Sequence, residues 1–445
     1  MVKTTFQTLT LGCRVNQAET KKISQDLLKL GFYPYQKNDY SQPDLIIVNT
    51  CVVTRKGEQE SAKTIRRLRK NYPGSLLVAT GCAANLWLKV CAKSKNQLPP
   101  ADIFITNEQK YTLAKTISRS FLLSLANPSS SKEETRSLVK IQDGCDHFCS
   151  YCIVPHLRPE PTSKSLTKTV KEINHLVKNG TREVILCGIN LSLYGRDLNP
   201  KISLNQLIKT ILKKTTISRL SLSSLTPRLV NQELVDIFLA DYQKDRRLST
   251  YLHLALQSGS PTTLKRMNRK TNLKKLKTIL RYLKEIIPDF NLRADIMVGF
   301  PGETEKEFQQ TINFIKKTKI AFIHLFRYSL RPGTIAQKMI DTKKWQKVDH
   351  SVKKDRWQKI AQITKQIRKK EAQSIIGKTK EVLILKKTNL GWWGISDNYW
   401  PTNINNVKNS NLKQKNILGK IVPVKITSQS GNQLRGNLVL TNQAS

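Results

Sequence analysis

The sequence predicts an α/β chain in three parts. These are a small parallel α/β unit, a (β/α)6 partial barrel, and a small antiparallel β-barrel at the C-terminal end. Three observations carry this. Strand-like and helix-like segments alternate up to about residue 125, six further strand–helix units follow, and after Gly377 short strands separated by Gly and Asn turns replace the helices. At 445 residues the chain is too long for one ordinary core. The expected division is residues 1–125, a linker at 126–136, a central unit at 137–372, and a last unit at 373–445. No run approaches the apolar length of a membrane span, and the start lacks the charged-then-apolar layout of a signal peptide. A cytoplasmic protein with no membrane partner is expected, in which eight cysteines argue for metal binding or catalysis over disulfides.

In the first unit, Thr4–Leu11, Asp44–Asn49 and Ser75–Thr80 read as strands; Asn16–Leu30 and Glu58–Lys70 carry apolar residues at helical spacing. Each strand runs into a cysteine: Leu-Gly-Cys13, Asn-Thr-Cys51 and Thr-Gly-Cys82. Parallel strands deliver their carboxyl ends to one edge, so residues distant in sequence converge there. Gly12 and Gly81 allow a sharp turn beside a bulky ligand. A single such cysteine is usually a packed small hydrophobe; three at equivalent ends argue for an iron–sulfur cluster with three protein ligands. Cys91 reads as structural. Cys187 ends a later strand and is not counted a ligand.

A Ser-rich segment, Asn127–Lys132, precedes the central unit. Its strands are expected at Leu138–Gln142, Glu183–Cys187, Arg219–Ser223, Tyr251–Leu256, Leu292–Val298 and Phe322–Phe326. Helices are expected to begin near Leu166, Leu204, Asn231, Thr262, Asn272 and Thr304. Chemistry in such barrels lies at the carboxyl ends of the strands. The first strand ends in Asp-Gly-Cys145-Asp-His-Phe-Cys149-Ser-Tyr-Cys152. Iron–sulfur clusters are held by thiolates, normally four; three in one loop leave an iron open to a reactant. The alternative is zinc with His147 as fourth ligand, cramped within the same loop. Other strand ends carry Asn190, Ser223-Ser224, Gln257 and Asp295, suited to orienting hydroxyls and amines. Glu303, opening a helix, complements its dipole.

Asp341–Lys370 reads as one basic helix with an apolar stripe through Trp345, Val352, Trp357 and Ile360. Beyond it, Val382–Leu385, Gly394–Ile395, Asn403–Val407 and Ile421–Thr427 read as strands. From Lys378 onward ten Lys/Arg face two Asp/Glu, interleaved with Trp392, Trp393, Tyr399 and Trp400. Basic charge among aromatics suits RNA, with some of those rings needed to fill the barrel; Trp392 and Trp393 fit either role. A net charge of +44 points to a polyanionic partner, set against a lysine-heavy composition without a binding role.

The Cys145/Cys149/Cys152 spacing with Tyr151 resembles the signature of radical S-adenosylmethionine (SAM) enzymes. With the Cys13/Cys51/Cys82 trio and the basic terminal barrel, the chain resembles the methylthiotransferase family of that superfamily, whose last unit is an RNA-binding TRAM domain. Leu11-Gly-Cys-Arg-Val-Asn-Gln17 is similar to the opening of the branch acting on N6-threonylcarbamoyladenosine (t6A) in tRNA. The isopentenyladenosine branch usually has Gln-Met after that cysteine, and the ribosomal-protein branch Pro-Lys. The resemblance implies two [4Fe-4S] clusters and SAM, with Cys145, Cys149 and Cys152 as the catalytic ligands and Asn190, Gln257 and Asp295 as SAM contacts. It implies a 5′-deoxyadenosyl radical that takes hydrogen from C2 of the modified adenine, and sulfur delivered through the second cluster. The implied partners are a tRNA anticodon stem-loop and a reductant such as flavodoxin or ferredoxin, with a sulfur donor the residues do not identify. Isopentenyladenosine, a ribosomal protein, or RNA binding with degenerate clusters are the alternatives. One departure stands out: after Arg158 the family usually has Gly and further arginines, whereas this chain has Pro159-Glu160-Pro-Thr-Ser-Lys164.

Overall fold

Leu-Ile-Ile-Val, at the heart of the first unit, is apolar without alternation, the pattern of a parallel strand covered on both faces. The computed structural model, which describes residues 4–36, 42–91, 98–120, 134–389, 391–405 and 417–439, places it so. Strands β1 (Thr5–Thr10), β2 (Tyr33–Pro34), β3 (Leu45–Thr50), β4 (Leu76–Gly81) and β5 (Ile103–Ile105) form a parallel sheet in the order β2-β1-β3-β4-β5. Helices α1 (Arg14–Lys29) and Leu113–Ser120 bury Ile23, Leu27 and Ile117 on one face, against Ile47 and Val78. On the other, α2 (Arg55–Asn71) and α3 (Cys82–Cys91) set Ile65, Leu68 and Ala84 against Ile46 and Val48. The short β2 and β5 show no alternation and were not expected. The segment Asn127–Lys132 and the Cys91 side chain lie outside the described residues.

The central unit contains β6 (Arg136–Asp143), β7 (Thr162–Ser163), β8 (Glu183–Gly188), β9 (Arg219–Leu222), β10 (Tyr251–Gln257), β11 (Asn291–Val298) and β12 (Phe322–Arg327). Parallel pairing links β6-β8-β9 and β10-β11-β12, and bridges Leu220–Leu248 and Leu225–Leu254 join the two sets. The six parallel strands are the six expected. Strand β7, which pairs antiparallel with β6, is additional. Leu252, Leu254, Leu256, Leu292, Ala294 and Ile296 pack in the helix-covered core, so their alternates, among them Tyr251, His253, Arg293 and Asp295, line the barrel's inner face. Helix α1 of the first unit lies against β6 and β8.

The single basic helix expected over Asp341–Lys370 starts only at His350 and runs to Gln373; a separate short helix, Ile335–Asp341, ends where the expected one was to begin. The chain breaks where Lys343 takes a left-handed φ of 56° and Trp345 turns into a separate cluster, edge-on to Phe300 at 5.5 Å. The stripe is also incomplete, for Val352 and Trp357 are exposed. Buried Arg356 on this helix pairs with Glu303 at 2.8 Å, giving that carboxylate an ionic partner.

Strands β13 (Thr379–Thr388), β14 (Gly391–Ser396), β15 (Pro401–Asn405), β16 (Ile421–Ser430) and β17 (Gln433–Leu438) close a barrel in the order β13-β14-β15-β17-β16. Its core holds Val382, Ile384, Trp400, Ile404, Val424 and Leu434. The polar run of β17 hid it from the sequence reading, and Val407 lies outside the described residues. Trp400 fills the interior. Tyr399 leaves it with φ 68° and stacks on Tyr251 at 3.9 Å. Arg219 donates to the carbonyls of Ile395 (2.8 Å) and Glu381 (2.9 Å), and Asn291 to that of Asn398 (3.0 Å), docking this barrel under the strand starts of the central one. Trp392 and Trp393 stay half-buried, with the Lys387 and Lys386 ammonium groups 5.7 and 5.0 Å from their rings. No described helix is long and apolar enough to cross a membrane.

Candidate active site: two cysteine trios

The loop trio begins at Gly144, whose φ is 69°; a Cβ there would lie 1.9 Å from the Glu160 carbonyl oxygen. Cys145 N–H donates to the Arg158 carbonyl (3.0 Å) and Cys152 N–H to that of Cys149 (2.9 Å), while Ser150 N–H donates to Met267 (3.0 Å). These bonds pin the loop at the carboxyl end of the barrel. Asn190 Nδ2 and His147 N–H each donate to the Cys145 sulfur at 3.4 Å, and Arg269 to that of Cys149 at 3.7 Å. Donors aimed at sulfur favour thiolates. Burial, and then Cys149 and Cys145, nevertheless push Cys152 up to about 12, a conflict that a bound metal cation would reverse. Tyr151 packs edge-on against Phe300 at 6.4 Å beside these sulfurs. His147 turns its ring toward Arg228 (3.3 Å).

The strand-end trio depends on its glycines. Gly12 has φ 99°, and a Cβ on it would sit 2.6 Å from the Cys51 sulfur; Gly81 has φ 97°, and a Cβ there would meet the Thr50 carbonyl at 2.5 Å. Asn16 Nδ2 donates to the carbonyls of Leu11 and Thr50, both at 2.9 Å, tying two strand ends together. Burial, then Cys13 and Cys82, raise Cys51 to about 11; Cys13, exposed at the surface yet flanked by protein, is raised by desolvation and by Cys82. The three sulfurs thus share one electrostatic neighbourhood. The buried Cys187 thiol donates to the Arg14 carbonyl at 3.9 Å, placing it beside Cys13.

A lone zinc with bonds of about 2.3 Å would draw its sulfurs to about 3.8 Å apart. Among the described residues the trio with all ligand atoms within 4.8 Å is His253, Asp295 and His324, not either cysteine set. Neither cysteine set is drawn in to that spacing, which argues against a lone zinc, and donor sets made wholly of thiols suit iron–sulfur clusters.

Arg158 joins the two sites. Its carbonyl holds Cys145, and its guanidinium pairs with Glu19 of α1 (2.8 Å) and Asp143 (2.7 Å). Glu19 also takes Lys110 and Lys140, each at 2.6 Å. Burial alone would raise the Glu19 carboxyl, but Lys110, Arg158 and Lys140 hold it well below the usual range. Cys82 packs with Ile153 and Leu157 from the stretch after the loop trio. Of the departures from the family pattern, Glu160 covers Gly144 through its backbone, and Lys164 pairs with Glu172 at 2.5 Å, away from both trios. A cavity of about 1030 Å³ opens between α1, β6 and the helix Leu166–Lys178, and no cysteine lines it.

Asn190 reaches the loop trio, and its Oδ1 accepts from Thr226 at 3.0 Å. Gln257 holds a left-handed φ of 72°, its Oε1 buried without a partner. Asp295 lies deeper, bound by His253 (2.9 Å), His324 (3.3 Å) and Ser224 (2.9 Å). Burial opposes its ionisation, yet those partners hold its carboxyl well below the usual range. The sequence reading missed His253, His324 and Arg269. Period-two alternation from Gln257 back to His253 was the available signal.

Residues 139–315 match the Radical SAM superfamily, and residues 5–103 match a family described as Uncharacterized protein family UPF0004. The radical SAM methyltransferase TsrM of Kitasatospora setae, solved with cobalamin and a [4Fe-4S] cluster, shares the fold. Its TM-score is 0.51 at 12% identity over 77% of this chain and 78% of that one. Fold and loop trio define a radical SAM enzyme. Over 94% of this chain and 92% of its relative, the sequence is 30% identical to "Threonylcarbamoyladenosine tRNA methylthiotransferase MtaB" of Bacillus subtilis. The Thermotoga maritima protein of that name is 32% identical over 84% and 85%. The "tRNA-2-methylthio-N(6)-dimethylallyladenosine synthase" of Clostridium novyi is 30% identical over 97% and 95%. The chain belongs to the radical SAM methylthiotransferase family, whose members work with SAM and two [4Fe-4S] clusters.

Proposed function

We propose that the protein inserts a methylthio group at C2 of t6A, next to the anticodon of tRNA. Cys145, Cys149 and Cys152 would hold the SAM-cleaving cluster, and Cys13, Cys51 and Cys82 the sulfur-supplying one. The observation that carries this reading is the approach of the two trios, linked by Arg158 and by the packing of Cys82 on Ile153 and Leu157. Bound there, the clusters supply reductive cleavage of SAM and the inserted sulfur. The chain's own residues do the rest. Asn190 and Arg269 donate to the loop sulfurs, and the unpartnered Gln257 Oε1 is an acceptor for a SAM hydroxyl or amine. Asp295, kept ionised by its imidazole partners, is an acceptor in the barrel interior. Tyr151 and Phe300 keep water from the loop. Residues 1–125, 137–372 and 373–445 are assigned as the cluster-binding, radical SAM and TRAM-like units, joined by 126–136. A charge of +44 and the lysine-flanked Trp392 and Trp393 suit an anticodon stem-loop as partner. A flavodoxin- or ferredoxin-type reductant completes the reaction in the cytoplasm.

The same chemistry on dimethylallyladenosine is the second reading, favoured by the identity to the Clostridium novyi relative. Anaerobic incubation of the reconstituted enzyme with stem-loops carrying either base, followed by nucleoside mass spectrometry, decides between them. The proposal expects the 2-methylthio product from the t6A stem-loop. A product from the dimethylallyl stem-loop alone, or from neither, overturns it.

A further inference from the structure

Arg14 immediately follows Cys13 and projects into the central barrel. Its guanidinium lies beside the Tyr251 hydroxyl and 6.0 Å from the Tyr399 ring, and its Nη1 is buried without a hydrogen-bond partner. Arg293, on the inner face of β11, sits 5.5 Å from the same ring and 4.5 Å over Phe322. Neither arginine makes an ion pair among the described residues. The inner-face carboxylates are committed elsewhere: Glu183 to Arg136 (3.1 Å) and Ser221 (2.6 Å), and Asp295 to its two imidazoles. Burial, and then Arg14, Arg368 and Arg136, bring Arg293 down to about 10 against the opposing pull of Tyr251, so it stays charged at neutral pH. Two guanidiniums facing one tyrosine ring without an anion between them repel each other, and planar guanidinium is the group best matched to a carboxylate.

The place of this pair fits one occupant. The loop trio sits at the carboxyl ends of the strands, whereas Tyr251 and Arg293 lie near the starts of β10 and β11. In an adenine, C2 and the carbon bearing N6 flank N1, so a base presenting C2 to the loop trio carries its N6 substituent off to one side of that trio. The threonylcarbamoyl substituent ends in a carboxylate; the dimethylallyl group is a hydrocarbon. We infer that Arg14 and Arg293 form a specificity pocket for the substrate's carboxylate, with Tyr251 and Tyr399 as its walls. This rests on the t6A reading above. It also gives a physical role to the residue after Cys13, one of those on which the branch resemblance turns. A site built for a charged group strongly disfavours an analogue lacking it.

The test is binding by the reconstituted full-length protein without SAM. It uses anticodon stem-loops bearing t6A or its carboxamide analogue, with wild type, Arg14→Gln and Arg293→Gln. Wild type should bind the carboxylate about 10- to 100-fold more tightly than the carboxamide. Each variant should bind the two within about twofold while retaining wild-type iron content, with Arg14→Lys restoring part of the preference. A structural role would weaken both ligands equally and leave the ratio intact. Equal binding of both by wild type, as expected if an RNA phosphate fills the pocket, overturns the inference, and so does a variant that keeps the preference. If wild type methylthiolates the t6A stem-loop while either result holds, the pocket alone fails. If it does not methylthiolate t6A, the functional reading fails with it.

Discussion

The loop trio is drawn from one short stretch between Cys145 and Cys152, whereas the strand-end trio is gathered from three strands spread between Cys13 and Cys82. The first has its ligands set in one loop by short-range backbone bonds and one glycine, Gly144, with Met267, Asn190 and Arg269 of later segments bracing it. The second exists only when β1, β3 and β4 are in register, because its cysteines share nothing but a sheet edge. Local sites survive small losses of stability. Assembled ones track the fold itself.

The largest separation should come from the ligands. Cys145→Ala is expected to lose one of two clusters and all 5′-deoxyadenosine formation. Cys51→Ala should lose the other yet still cleave SAM, without methylthiolated product. Iron counting and chromatography read both, and retention of both clusters in either variant rejects the ligand assignment. Next is Glu19→Gln, which strands buried Lys110 and leaves Asp143 alone to balance Lys140 and Arg158; it should cost about 3–5 kcal/mol in denaturant unfolding. A cost near zero would show that the charge cluster is solvated. Gly81→Ala forces a side chain onto the Thr50 backbone at a left-handed φ, an expected loss of about 1–3 kcal/mol. Iron should fall at the strand-end trio while the loop trio keeps its own; equal loss from both would erase the contrast.

The smallest effect is acid sensitivity. The Glu19 and Asp143 carboxyls are held below their ordinary values by Lys110, Arg158 and Lys140 against the cost of burial. Their contribution is therefore complete above the unfolded value of about 4, and disappears as pH falls through the lower folded values. Melting temperature followed from pH 7 to 3 should drop less steeply in Glu19→Gln than in wild type.

Cysteine spacing made the loop trio legible, and three strand–cysteine junctions made the other so, because both signals lie within a few residues. The six central strands were legible from their apolar runs. What stayed hidden depends on partners far away. Arg158 was marked as part of an unusual loop, with no hint that it pairs with Glu19 across the first unit. Asp295 looked open to a ligand until His253 and His324 arrived from neighbouring strands. Strand β17 has too few apolar residues to announce itself; it is fixed by closure, with Gly436 leaving room for the Lys425 carbonyl, 2.5 Å from where a Cβ would stand. Tyr399, counted among rings for RNA, is buried against Tyr251.

Because Arg158 shares its neutralisation between Asp143 of its own unit and Glu19 of another, the enzyme resists dissection. Expressed without residues 1–125, the remaining fragment would leave Asp143 alone to balance both the Arg158 guanidinium and the Lys140 ammonium at the surface from which Glu19 had gone. The severed piece would keep an acid next to only one of its three cations. Attempts to study each metal centre on a separate fragment would therefore begin with two damaged halves, and loading iron into them would report on the cut rather than on the native protein.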